Sequence, residues 1–479
     1  MRRTVAWMIA PITAYALAGC AVGPDYVLPD EAMVRSESAN GAFVESGHNN
    51  LTPRPPPEDW WRLYRDPRLD RLIGQALAAN TDLRTAEAIL EKSAALLQMA
   101  EAARQPSVAV NFDIGYQQLS GEAYLQKQVV PATSLYDSGV SVAYDLDLFG
   151  RLRRTIEAVD ADDEAIAAAR DLVMINVVAD TTRAFLDLCD AGAELSVAHE
   201  NLNVQRASLA ITRRLVEAGK GGSLDETRSR GLTAQLESAL PTLEARQRNA
   251  LFRLTTLTGR PPAEFDRSLS NCATPPQILA PLPVGDGAQL LKRRPDVRAA
   301  ERRLAAATAE IGVATSLLYP SVKLLATLGS TGMTGDFLSA PTNRYGVGPS
   351  ISWQLNQSVA RARIAEASAE AKAALARFDG AVLQALRETE SALNVYVHDL
   401  KKLQNLRTAR LEADRALADT RKLQAFGRID ALAVLDAERT RAAANLAVAA
   451  QISQISLDQV GVFLALGGGW RGKGEAAER

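Results

Sequence analysis

Apolar residues recur along this chain with two distinct periods, and the switch from one to the other happens twice. Alternation of period two predicts four strands. In the first, Val108, Val110, Phe112, Ile114 and Tyr116 share a face opposite Ala109, Asn111, Asp113 and Gln117. The second sets Val140, Val142, Tyr144, Leu146 and Leu148 against Ser141, Ala143, Asp145 and Asp147. The third sets Val322, Leu324, Ala326 and Leu328 against Lys323, Thr327 and Gly329. The fourth sets Tyr345, Val347, Ile351, Trp353 and Leu355 against Gly346, Gly348, Ser350, Ser352 and Gln354. Strands apolar on one side and small or polar on the other fit an outer-membrane barrel with a wet interior, or a half-buried soluble sheet.

Between the strand pairs the period becomes helical. Two stretches, about 151–218 and 359–425, contain no proline, and the second carries a stripe at Leu375, Phe378, Val382, Leu386 and Leu393. A helix of about 67 residues is roughly 100 Å long. No single globular core needs that length, so these helices are expected to pack along one another as coiled coils. Turns at 219–223 and 427–430 send a second helix back. Each strand pair follows a helix that stops at Pro106 or Pro320, because proline ends a helix and extends its predecessor.

The order repeats because the sequence does. Residues 82–108 read DLRTAEAILEKSAALLQMAEAARQPSV and residues 296–322 read DVRAAERRLAAATAEIGVATSLLYPSV; at an offset of 214, ten of the 27 positions are identical. Downstream, Ser141-Val142-Ala143-Tyr144 aligns with Ser350-Ile351-Ser352-Trp353, and Ala218-Gly219 with Phe426-Gly427.

Composition narrows the picture. The chain has 479 residues, of which 47% are hydrophobic but only 5% aromatic, so alanine and aliphatics fill the apolar positions, which favours closely packed long helices. The formal charge of −2, with lysine and arginine spread evenly, offers nothing to recruit nucleic acid. His48, His199 and His398 stand alone, without a second metal ligand at helical spacing. No nucleophile–base set, H-E-x-x-H, G-x-S-x-G or phosphate loop is present, so the chain is not read as an enzyme, and no cofactor is expected. Cys189 and Cys272 either form a disulfide in an oxidising compartment or remain two separate buried thiols.

The amino terminus fixes the compartment. Arg2 and Arg3 precede an apolar run from Val5 to Leu17 that is too short to span a bilayer and has the layout of a signal peptide. It ends in Leu17-Ala18-Gly19-Cys20, which resembles a lipobox, with Cys20 as the acylated first mature residue. The alternative is an ordinary signal followed by a chance cysteine. No later segment is an apolar run long enough for a spanning helix, so any membrane crossing is made by strands. The anchor and the aromatic residues Tyr116, Tyr144, Tyr345 and Trp353 favour the membrane for those strands. Four strands cannot close a barrel, so several chains must contribute, and a trimer gives twelve.

Together these residues resemble the TolC-type outer-membrane efflux proteins, in the lipoprotein branch that includes OprM and the NodT-like proteins. The resemblance is carried by Cys20-Ala21-Val22-Gly23-Pro24-Asp25-Tyr26, Trp60-Trp61, Asp145-Leu146-Asp147-Leu148-Phe149-Gly150-Arg151, LKRRPDVRAA at 291–300 and Leu318-Tyr319-Pro320. It implies a mainly α fold with a small β part: a homotrimeric α-barrel joined to a twelve-stranded transmembrane β-barrel in outer-membrane lipid. It implies a passive duct for drugs, metals or other small solutes, fed by a periplasmic adaptor and an inner-membrane transporter of the RND type. A channel for type I protein secretion and a non-conducting coiled-coil lipoprotein are the alternatives. The expected layout is a signal peptide at 1–19, a lipidated extended segment at 20–65, repeats at 66–271 and 291–465 with a linker at 272–290, and a flexible tail at 466–479.

The resemblance also implies a periplasmic gate at the two turns. Leu224 aligns with Leu432 and Asp225 with Ala433, and LAVLDAER at 432–439 resembles an OprM-type closure. Leu432 is then a hydrophobic plug and Asp436 with Arg439 a polar latch. TolC itself has tyrosine, arginine and aspartate where this chain has Gln424, Ile429 and Ala433, which favours the OprM-like lock. Ordinary helix-end chemistry stays open: Asp225 as a cap or dipole partner and Asp436–Arg439 as an i,i+3 pair. Gly219 and Gly427 admit adaptor contact, or serve turn geometry alone.

Overall fold

The computed structural model describes residues 21–122 and 127–468; the signal region and Cys20 lie outside them. A two-residue strand β1 (Leu51–Thr52) precedes α1 (Pro67–Ala79) and α2 (Thr81–Ala102). Strands β2 (Ser107–Gln117) and β3 (Thr133–Asp145) follow, then α3 (Arg151–Glu217), α4 (Ser223–Glu237) and α5 (Leu240–Leu257). After β4 (Leu282–Pro283) and α6 (Gly287–Arg293) come α7 (Pro295–Ser316), β5 (Ser321–Met333), β6 (Asn343–Ser352), α8 (Ser358–Ala425) and α9 (Ala431–Ala465). Helix α3 has 67 residues and α8 has 68. Their contacts divide the chain into two units, to each of which both long helices contribute.

The first unit holds residues 21–29, Ile89–Ala167 and Ala299–Phe378. Its centre is an antiparallel sheet in the order β2-β3-β5-β6. The register pairs Val110 with Val140, Val140 with Leu328 and Leu328 with Tyr345. Directly paired residues share a face, so the apolar rows of all four strands fall on the same side. That side is uncovered: Val110 is 77% exposed and Val347 86%. Toward one end Tyr136 is buried, its hydroxyl 2.6 Å from Ser330 Oγ and its ring 4.9 Å from that of Phe337.

Two strand limits differ from the sequence pattern. Strand β3 begins at Thr133, earlier than the alternation indicates, and stops at Asp145. Leu146 and Leu148 lie beyond it because the next carboxylates serve the helix. Asp147, with φ of 39°, accepts the Leu152 and Arg153 amides at 2.8 and 3.0 Å, and Asp145 accepts Arg151 at 2.8 Å. Likewise β6 ends at Ser352, before Trp353 and Leu355.

The second unit holds Asp30–Ala88, Ala168–Arg298 and residues 379–468. Asp66 caps α1 by accepting the Arg68 amide at 2.8 Å, with Pro67 pre-set for the first helical position. Trp60 is fully buried and stacks on Phe463 at 4.8 Å, while β1 pairs in parallel with β4. Arg294 is buried with three partners: Asp296 at 2.6 Å, Glu388 at 2.8 Å and the Ala465 carbonyl at 3.0 Å. Leu466 is also buried, although the sequence assigns it to the tail.

Cys189 and Cys272 are joined as a disulfide closing a separation of 83 residues. Chain-entropy reasoning credits such a loop with about 4 kcal/mol. Peptide mapping of the non-reduced protein is expected to give the linked pair; two free thiols there would remove the bond.

Next to it, Asp190 is only 2% exposed. Burial pushes its carboxyl up to about 7, with Arg246 opposing and Glu194 and Asp187 adding to the shift. The fold therefore favours the neutral acid. Its contribution is whole below about pH 4 and is lost as pH rises toward 7, a cost of at most about 4 kcal/mol. Asp190→Asn is expected to raise Tm at pH 8 and leave it nearly unchanged at pH 4 in thermal unfolding. A lower Tm at pH 8 would instead make the charged pairing with Arg246 the stabilising one.

Candidate functional site at the helical turns

The two long helices end in the same motif. After α3, Lys220 N donates to Leu215 O at 2.8 Å and Gly219 N to Val216 O at 3.0 Å. After α8, Arg428 N donates to Leu423 O at 3.0 Å and Gly427 N to Gln424 O at 2.8 Å. Both are Schellman caps, and both glycines have φ of 69°. The left-handed backbone alone requires glycine there, because no atom stands within 4 Å of a Cβ at either position.

Past the turns, Leu224 and Leu432 are both exposed, and Phe426 beside Gly427 is 79% exposed. Asp436 and Arg439 form an i,i+3 pair at 2.6 Å. Asp225 lies 4.0 Å from Arg228 and is not the cap residue of α4, a place held by Gly222. In α9 the cap is Asp430, which accepts the Ala433 amide at 3.1 Å. The helix-end account thus holds for Asp436–Arg439 as a pair; Asp225 is not the cap but lies in the first turn of α4, where the helix dipole favours a carboxylate.

Sequence reasoning missed Glu438. It is 6% exposed, accepts Ser208 Oγ from α3 at 2.9 Å and pairs with Arg421 of α8 at 2.8 Å. Nearby, Asn201 of α3 donates to the Ala442 carbonyl at 3.2 Å, and Arg441 pairs with Asp414 at 2.7 Å. The signal was its spacing, since Val434, Leu435, Glu438 and Ala442 share the buried face of α9. A carboxylate on an apolar stripe has to find partners.

The polar face of the sheet carries its own charges. Asp113 pairs in register with Asp137, and Asp137 binds Arg344 and accepts Thr331 Oγ1 at 2.7 Å. Of the three aspartates that the alternation puts on this face, Asp145 and Asp147 are engaged at the start of α3 instead.

Among the described residues, no helix is long and apolar enough to cross a membrane, and no group of three or more histidine, cysteine or acidic residues could hold a metal ion. The profile described as "Outer membrane efflux protein" matches residues 72–260 and 287–468. The toluene efflux pump outer membrane protein TtgF of Pseudomonas putida is 30% identical over 477 residues, 95% of each chain being covered. The probable outer membrane lipoprotein SilC of Salmonella typhimurium is 27% identical, with 96% of this chain and 97% of SilC covered. Among solved structures, the outer-membrane channel OprN superposes with a TM-score of 0.86 at 35% identity, covering 94% of this chain and all of OprN. All three carry names of outer-membrane proteins, TtgF that of an efflux pump component and OprN that of a channel, and none carries the name of an enzyme. Matched by the family profile over both halves of its length, the chain belongs to the outer membrane efflux protein family.

Proposed function

We propose that three copies of this chain form the outer-membrane exit duct of a tripartite efflux pump. One observation carries the reading: a four-stranded sheet with an uncovered apolar face and unpaired edges at β2 and β6. Hydrocarbon does not tolerate an open strand edge. Pairing β6 of each copy with β2 of the next removes every edge, and three copies give twelve strands with Asp113, Asp137 and Arg344 facing the water-filled interior. Cys20 is the acylated first mature residue, a reading supported by the likeness to a named outer-membrane lipoprotein. On this reading, residues 20–65 follow the signal as an anchored segment, 66–271 and 291–465 are tandem repeats joined by 272–290, and 466–479 are the tail.

Solute passes without energy input from this chain; the pumping belongs to an inner-membrane transporter reached through a periplasmic adaptor at the Gly219 and Gly427 turns. Small apolar molecules are the favoured cargo, by analogy with the toluene of TtgF. Leu224 and Leu432, rings of leucine once three copies converge, close the periplasmic end by excluding water. Asp225 and the Asp436–Arg439 pair hold the polar layer beside them.

On a native gel in detergent, the mature protein is expected at about three times the monomer mass and to conduct in planar bilayers. A monomer that dissolves without detergent once unacylated would leave a tethered helical rod. Leu432→Ala and Asp436→Ala are each expected to raise the closed-state current several-fold. Wild-type tightness in both variants would remove these residues from the gate.

A further inference from the structure

The run Ala21-Val22-Gly23-Pro24-Asp25-Tyr26 is held in the first unit by residues of α3 and α7. Arg154, near the start of α3, has a side chain only 4% exposed. It donates Nε to the Val22 carbonyl at 3.2 Å and Nη2 to the Gly23 carbonyl at 3.2 Å and to Asp25 Oδ1 at 2.7 Å, while Nη1 binds Glu157 at 2.7 Å. The Val22 amide donates to the Phe149 carbonyl at 3.2 Å. At the other end of the run, Tyr26 donates its hydroxyl to Glu301 of α7 at 2.9 Å, and Arg302 lies 5.7 Å from its ring centroid.

The fit is steric as well as polar. Gly23 has φ of 91°, and a Cβ there would collide with Gly312 Cα. A Cβ at Gly312 would in turn stand 2.7 Å from Arg154 Cγ, and one at Gly150 would stand 2.6 Å from Ala21 Cα. Backbone meets backbone at Gly23–Gly312 and at Gly150–Ala21, so the groove accepts one segment in one register. A guanidinium that binds two successive carbonyls and a carboxylate through a planar fork has a geometry lysine cannot reproduce.

We propose that α3 and α7 form a socket for the mature amino terminus, with Arg154 as its positioning residue, and that the socket sets where the acyl chains of Cys20 leave the protein. The second half of this statement rests on the lipidation reading above. Ala21, which follows Cys20 in sequence, packs against Gly150 just before α3, so one peptide link separates the acylated residue from the socket. Were residues 21–29 free, their extended length would let the anchor wander about 30 Å, which is the whole hydrocarbon thickness. The socket confines that range to one end of the sheet, where β3 hands over to α3.

The test is chymotryptic cleavage after Tyr26 in the full-length protein in micelles. Mass spectrometry follows loss of the acylated fragment 20–26. Arg154→Ala is expected to speed this cleavage about tenfold or more while the acyl mass is unchanged. Asp25→Ala, at an exposed residue, is expected to give a smaller rise and decides the matter if Arg154→Ala does not fold. Cys20→Ser, exported behind an ordinary cleavable signal, is expected to be cleaved as slowly as wild type. Unchanged rates in both socket variants would overturn the proposal. So would a Cys20→Ser rate as fast as Arg154→Ala, because the micelle and not the socket would then hold the segment. A wild-type protein without acyl mass would overturn the lipidation reading and the exit-point half of the proposal, and the Arg154 comparison would still decide the socket.

Discussion

Backbone amides and carbonyls in hydrocarbon have no water to turn to, and each one left unpaired costs several kcal/mol. Strands β2 and β6, of 11 and 10 residues, each present such an edge on a sheet with one face that is apolar over most of its length. Inside one chain nothing relieves this, because the order β2-β3-β5-β6 leaves both edges open among the described residues. On the proposed trimeric reading, copies joined edge to edge relieve it at every strand together. The polar side of the same strands, with Asp137 bound to Arg344, then faces inward, which is the arrangement that leaves no charge against lipid.

The long helices answer a different difficulty. Faces rich in alanine pack closely but slide easily, since one small methyl resembles the next. Buried polar groups supply the register. Arg294 ties α6 to α8 and the end of α9, Arg246 binds Asp187 and Glu194 of α3, and Glu438 joins α9 to α3 and α8. A shift of one turn in any of these helices would strand a buried charge, which costs far more than the pair gains when made. The disulfide at Cys189 pins the linker to the same part of α3.

Much of the architecture was legible from spacing alone. Proline-free runs gave α3 and α8 to within a residue at each end, because a helix of that length has no internal competitor once its apolar stripe is continuous. The first part of β3 was not legible: Ser134, Asp137, Ser138 and Gly139 interrupt the alternation with polar or small residues on both faces. Asp145 and Asp147 fit the strand pattern but serve the helix, since a carboxylate near a helix start competes for its free amides. At the turns, the gate role of Leu432, Asp436 and Arg439 rests on resemblance, whereas the burial of Glu438 was not read from the sequence, because three-dimensional partners rather than neighbours in sequence make it tolerable. Two cysteines alone do not declare their distance, so the pairing of Cys189 with Cys272 needed coordinates.

The returning legs of the two hairpins differ in one respect. Helix α9 runs through 35 residues without interruption, whereas its counterpart breaks at Ser238 and Ala239, just ahead of Pro241, into α4 and α5. Proline contributes no amide to the ladder and crowds the carbonyl four residues back, so the local resistance to bending drops there. The second leg is therefore the stiffer of the two, and bending of the first is concentrated at the Ser238 joint.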